Sequence, residues 1–144
     1  MEKIVAYTDG GSRGNPGPAA IGIQVQDVDG KVLKEVAECL GNATNNYAEY
    51  QGVAVALETI KKMYGKKTKE MEVEIRMDSE LVQKQLNHEY QVKDPGLMSL
   101  FLAVHNLRVT NFPNLILTHV PREKNKEADR LVNEALDNEQ GTLD

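Results

Sequence analysis

The stretch "YTDGGSRGNPGPAAIG", residues 7 to 22, places five glycines and two prolines around one aspartate. It follows directly on "KIVAY", an apolar run in which Ile4 and Ala6 share one side of an extended backbone and Val5 and Tyr7 the other. A strand that is apolar on both sides belongs in the middle of a sheet. Glycine and proline at this density favour neither helix nor regular strand, so the strand is expected to end at Asp9 and a pliable loop to follow. A single carboxylate then stands at the exit of a central strand. Asp-Gly is also ordinary turn chemistry, and Asp9 alone does not decide between a turn and a site.

The rest of the chain supplies the frame. Ile21, Ile23 and Val25 alternate with Gly22, Gln24 and Gln26, the pattern of a strand with one solvated face. "DVDG" at 27–30 is a hairpin turn, and "KVLKEVAECL" returns as a third strand. "TNNYAEYQGVAVALETIKKMYG" starts with capping residues and ends on Gly65, which predicts a long helix. "KKTKE" reads as a charged loop, and "MEVEIRMD" as a strand ending at Asp78. "SELVQKQLN" is a short helix with a serine cap, and Pro95 opens another, "PGLMSLFLAVHNLR". "NLILTHV" is a fifth strand, "NKEADRLVNEALDN" a last helix and "EQGTLD" a frayed tail. The order βββ-α-β-α-α-β-α implies an α/β fold, a five-stranded mixed sheet with helices on its faces.

At 144 residues the chain forms one domain, expected over 1–138 with a short tail at 139–144. No apolar run reaches the roughly 20 residues that span a bilayer, and no charged-then-apolar leader opens the chain. Cys39 is the single cysteine, so no internal disulfide forms, and a cytoplasmic monomer is expected. The net charge of −5 argues against a protein that coats nucleic acid indiscriminately.

Three further acids stand out by position. Glu49 shares a helix face with Val53, Ala56 and Ile60, a stripe that should pack on the sheet. Asp78 ends its strand as Asp9 ends the first. Asp129 shares a side of the last helix with Val132 and Leu136. Each has a plain structural reading as a cap, a first-turn acid or half of an ion pair. Together, at strand ends and in two helices, they can converge on one side of a sheet. Carboxylates about 4 Å apart repel by roughly 4 kcal/mol per pair at an effective dielectric near 20, so such a cluster calls for cations. Oxygen ligands select hard ions, Mg²⁺ or Mn²⁺, and a pair of them is a device for cleaving phosphodiesters.

These segments, "YTDGGSRGNPGPAAIG", "TNNYAEYQGVAVAL", "MDSELV" and "HVPREKNKEADRLVNEA", resemble type 1 ribonuclease H from Lys3 to about Asn138. The resemblance implies the ribonuclease H-like fold and hydrolysis of the RNA strand of RNA–DNA hybrids, leaving 5′-phosphate and 3′-hydroxyl ends. It implies two Mg²⁺ ions, replaceable by Mn²⁺, on Asp9, Glu49, Asp78 and Asp129. His119 matches a histidine in a mobile loop that helps proton handling or product release. Asn15, Asn45 and Asn46 match positions that contact the minor groove and the RNA ribose, and Thr44 one that holds a DNA phosphate. Gly10 and Gly11 would let backbone approach a strand, with Ser79 beside the third acid. Lys124 and Lys126, with Arg122 and Arg130, are expected to contact the nucleic-acid backbone.

Two departures are visible. Glu80 stands where the family often has glutamine, and "NHEYQVKDPG" replaces the tryptophan- and lysine-rich protrusion of some bacterial relatives. The resemblance therefore points to the form without a basic protrusion and implies no obligate protein partner. Two other readings stay open on the residues alone: a resolvase- or integrase-like nuclease of the same fold, and a hybrid-binding module without catalysis.

Overall fold

The computed structural model describes residues 1–142, with side chains through Glu139. Five strands form one sheet: β1 (Lys3–Ser12), β2 (Gly17–Asp27), β3 (Val32–Ala43), β4 (Glu72–Met77) and β5 (Leu115–His119). Their order across the sheet is β3-β2-β1-β4-β5, with β1 central as its two-sided apolar pattern predicts. β1–β3 are antiparallel, whereas β4 and β5 run parallel to β1. The helices are α1 (Asn45–Tyr64), α2 (Glu80–Leu86), α3 (Pro95–Thr110) and α4 (Lys126–Thr142). No helix among the described residues is long and apolar enough to cross a membrane.

The predicted starts of three helices hold at their caps. Thr44 accepts from the Tyr47 amide, Ser79 from Val82 and Asp94 from Gly96, each supplying an acceptor to a helix-end N–H that has no partner within the helix. One sheet face carries the main core: Ile4, Ala6, Ile21, Ile23, Val73 and Ile75 pack beneath Val53, Leu57 and Ile60 of α1, and Val104 of α3 joins the same cluster. Each of the valine, leucine and isoleucine side chains contributes about 1.5–3 kcal/mol on burial. On the other face α4 seals a smaller cluster of Ala20, Val132, Ala135 and Leu136.

Four expectations are corrected. β1 does not end at Asp9 but continues through both glycines to Ser12, because its ladder with β2 pairs Asp9 with Gly22 and runs on to Ser12 with Ala19. The β2 face bearing Gly22 and Gln24 is buried, with Gln24 only 3% exposed. α4 covers it from more than a hundred residues downstream, a partner that local alternation does not reveal. "KKTKE" lies within a 3₁₀ turn, Gly65–Glu70, in which the buried Thr68 donates its hydroxyl to the Gly65 carbonyl at 3.0 Å. Instead of fraying at 139, α4 continues to Thr142; residues 143 and 144 of the expected tail lie outside the described residues.

Candidate active site

Asp9, Glu49, Asp78 and Asp129 line one cavity of about 390 Å³, on the sheet face that α4 partly covers. Asp9 projects from the central strand. Glu49 lies just beyond the first turn of α1, which contains no acid, so it is not a dipole-compensating first-turn residue. Asp78 is the first residue after β4, and Asp129 lies in the first turn of α4. Two strands and two helices thus each deliver one carboxylate.

Close backbone approaches set these positions. A Cβ on Gly10 would lie 2.2 Å from the Ala48 carbonyl oxygen, and one on Gly22 would lie 2.2 Å from that of Ala128. Glycine at these two places brings α1 and α4 onto the sheet at backbone contact. The space a Gly10 side chain would need is therefore filled by α1 rather than left for a nucleic-acid strand. Gly11 is free of such crowding, its Cβ position lying 3.9 Å from the nearest atoms.

The electrostatics show an acid cluster that is only partly compensated. Burial is the largest cause that pushes the Asp9 carboxyl up from its ordinary 3.8 to about 8, and the charges of Asp78, Asp129 and Glu49 add to it. The Gly10 amide, donating to Asp9 Oδ1 at 2.9 Å, opposes the shift. Burial also raises Glu49, helped by Asp78 and opposed by the Ser79 hydroxyl and the Arg122 charge. Glu49 Oε2 is buried with no donor.

Such a donor set fits hard divalent cations, which would replace the missing positive charge and occupy the idle oxygen lone pairs. Among the described residues no three carboxylates enclose one point as a closed metal cage does. An ion such as Mg²⁺ does not require such a cage, since it keeps several waters and takes only one or two carboxylates.

The raised Asp9 pKa has a stability consequence. The unfolded chain releases this proton near pH 4 and the folded chain only near 8. Between those values the folded state holds the extra proton, so raising the pH favours unfolding by up to about 1.4 kcal/mol per unit. The metal-free protein is expected to melt progressively lower from about pH 5 to pH 8, and an Asp9→Asn variant to show a shallower decline. Equal slopes in calorimetry would contradict the shift.

The remaining expected residues divide. Gly10, Gly11, Asn45 and Lys126 line the same cavity, with Arg13, Arg122 and Asn133. Asn45 Oδ1 accepts from the Ser12 amide at 2.8 Å and the Ser12 hydroxyl at 3.0 Å, and its own amide N–H donates to Asn15 Oδ1 at 3.0 Å. Asn15 and Asn45 therefore brace the end of β1 against α1, and these three bonds use neither side chain's Nδ2. Thr44 is spent as a helix cap, its hydroxyl oxygen 3.1 Å from the Tyr47 amide, and Asn46 is exposed beside it. Ser79 borders a small recess with Asp9, Glu49 and Asp78.

Lys124 lies apart, in a groove with Tyr7, Gln24 and Gln26 that Lys126 also borders. Arg130 is held by Glu127, Glu134 and Glu35 at 2.8–2.9 Å, so it is committed to the protein rather than to a phosphate. His119 is the last residue of β5, as the fifth-strand pattern predicts, paired with Met77 in the ladder and exposed, and not in the loop that the resemblance implies. It is not among the residues that line the cavity. Sequence reasoning passed over Arg13, whose guanidinium reaches Asp137 Oδ1 at 2.6 Å and Asn133 Oδ1 at 3.3 Å across the cavity wall. A basic residue inside a glycine loop was the available signal.

The family model described as "Reverse transcriptase-like" matches residues 7–135. Over 135 residues the chain is 43% identical to ribonuclease HI of Halobacterium salinarum, covering 94% of this chain and 65% of that protein. It is 40% identical to a bifunctional protein of Mycobacterium tuberculosis over 94% of its own length, and spans 36% of that protein. The backbone superposes with a TM-score of 0.92 on LC11-RNase H1, isolated from compost by a metagenomic approach, at 48% identity over 97% of this chain and 99% of that one. LC11-RNase H1 has also been solved in complex with an RNA/DNA hybrid, and there the TM-score is 0.91. A likeness this extensive in sequence and backbone alike leads to one conclusion: the chain belongs to the ribonuclease H-like family.

Proposed function

We propose that this protein is an endoribonuclease that hydrolyses the RNA strand of RNA–DNA hybrids and leaves 5′-phosphate and 3′-hydroxyl ends. The observation that carries this reading is the convergence of Asp9, Glu49, Asp78 and Asp129 on one cavity with too little positive charge to balance them. These four would hold two Mg²⁺ ions, Asp9 and Asp78 from the rigid sheet and Glu49 and Asp129 from the helices. Bound there, the ions supply activation of the attacking water and stabilisation of the departing 3′-oxygen.

The chain's own residues orient the substrate. The backbone at Gly11, where no side chain intervenes, offers an approach for the scissile strand. Asn15, Asn45 and Asn46 would offer it amide donors suited to 2′-hydroxyls and minor-groove base edges. Thr44 stands at the start of α1, where helix-end amides favour a phosphate. Arg122 and Lys126 add positive charge at the cavity rim, and Lys124 extends it along the neighbouring groove. His119, exposed at the end of β5 next to the strand that delivers Asp78, would take up or return a proton. The eight-residue connection between α2 and α3, 87–94, supports the form without a basic protrusion, and the protein would act as a monomer.

The test is substrate discrimination with added ions. With Mg²⁺ or Mn²⁺ the protein is expected to cut a hybrid and leave the matching DNA duplex intact. Equal cleavage of both would mark a general nuclease. Tight hybrid binding without cleavage would mark a binding module.

A further inference from the structure

Among the described residues three buried side-chain acceptors lack a donor: Glu49 Oε2, Gln51 Oε1 and Asn125 Oδ1. Asn125 is 1% exposed and lies immediately before α4. Its Nδ2 donates to the Thr8 carbonyl at 2.9 Å and to Asp78 Oδ2 at 3.2 Å. Its backbone carbonyl accepts from the Asp129 amide at 3.2 Å. The reversed amide would set Oδ1 against two acceptors, so the orientation follows from the contacts. One residue thus touches the strand position next to Asp9, the carboxylate of Asp78 and the helical turn that carries Asp129.

We infer that Asn125 is a positioning residue: it fixes the side chain of Asp78 and sets the spacing between β1, the end of β4 and α4, so that the carboxylates meet the ions in one geometry. This rests on the ion-dependent reading proposed above. The residue type supports it. A residue kept only for packing would be apolar here, since an apolar side chain buries without leaving an acceptor unpaired. A neutral donor also holds Asp78 without cancelling the charge that an ion needs, which a lysine or arginine would do. Outer-shell partners of metal-binding carboxylates typically change ion affinity or activity 10- to 100-fold when removed.

The experiment compares the parent with Asn125→Leu, which keeps the branching at Cγ and has no donor. Mn²⁺ binding is followed by calorimetry, and hybrid cleavage is resolved into kcat and KM, at a temperature where each protein is folded by circular dichroism. Mn²⁺ affinity is expected to fall by about tenfold or more and kcat by about 10- to 100-fold, with KM for the hybrid within about twofold. If Asn125→Leu does not fold, Asn125→Ala is measured in its place. A folded variant that melts lower but binds Mn²⁺ and turns over like the parent overturns the inference alone. A parent that binds no Mn²⁺ overturns the two-ion reading and this inference with it.

Discussion

Asp9→Asn is expected to abolish hybrid cleavage while leaving the fold intact. A carboxylate shared by two ions underlies several kcal/mol of transition-state stabilisation. At 1.36 kcal/mol per tenfold, about 4 kcal/mol corresponds to a loss near 10³-fold. The fold should survive because the hydrogen bond of this side chain, from the adjacent Gly10 amide to Oδ1, is one that asparagine can also accept. Metal-free stability should even rise near pH 8, since the substitution removes a charge that burial and three neighbouring acids disfavour. A hybrid-cleavage assay beside a melting curve checks both halves. A variant that keeps more than about a tenth of parent activity would exclude a shared-ligand role for Asp9.

The second large effect is on stability. Gly10→Ala and Gly22→Ala each place a methyl group 2.2 Å from a backbone carbonyl oxygen that belongs to a packed helix. Neither obstacle is a flexible side chain that could turn away, so the helix must move off the sheet. Overpacking against backbone is expected to cost about 3 kcal/mol or more for each change, a large share of the 5–15 kcal/mol that holds a domain together. The two variants should also fail differently at the site: Gly10→Ala displaces the turn of α1 that carries Glu49, and Gly22→Ala the turn of α4 that carries Asp129. Gly11→Ala, with 3.9 Å of clearance, should change stability by no more than about 1 kcal/mol. Denaturant unfolding of the three variants measures this. Similar midpoints for all three would mean that the helices do not depend on these glycines.

Local pattern made most of this architecture legible. Alternation located β2 and β4, the two-sided run at 3–7 put β1 in the centre, and Thr44, Ser79 and Pro95 marked helix starts because capping chemistry is written in adjacent residues. What local pattern could not show was contact at a distance. The strand through Gly10 and Gly11 is held by its partner β2, which overrides the low strand propensity of glycine. The face of β2 at Gly22 and Gln24 looked solvated because the helix that buries it lies at the far end of the chain. The four acids were visible as candidates because Glu49 and Asp129 sit on apolar helix stripes and Asp9 and Asp78 end two strands in the same way. Asn125 carried no such sign, since asparagine before a helix is ordinary, and only the three-dimensional contacts to Thr8 and Asp78 distinguish it.

The distribution of the four carboxylates over β1, α1, the end of β4 and α4 has a consequence for how the chain can be divided. The 3₁₀ turn at Gly65–Glu70 separates a first half with Asp9 and Glu49 from a second half with Asp78 and Asp129. The halves meet through the parallel ladder of β1 with β4 and through α4 lying on β2. Neither half owns more than two of the four carboxylates, so on the two-ion proposal neither would be a working fragment, and activity would be a property of their reassembly. Turnover would then be a proofreading signal for the whole fold, present only when the first and last elements have found each other.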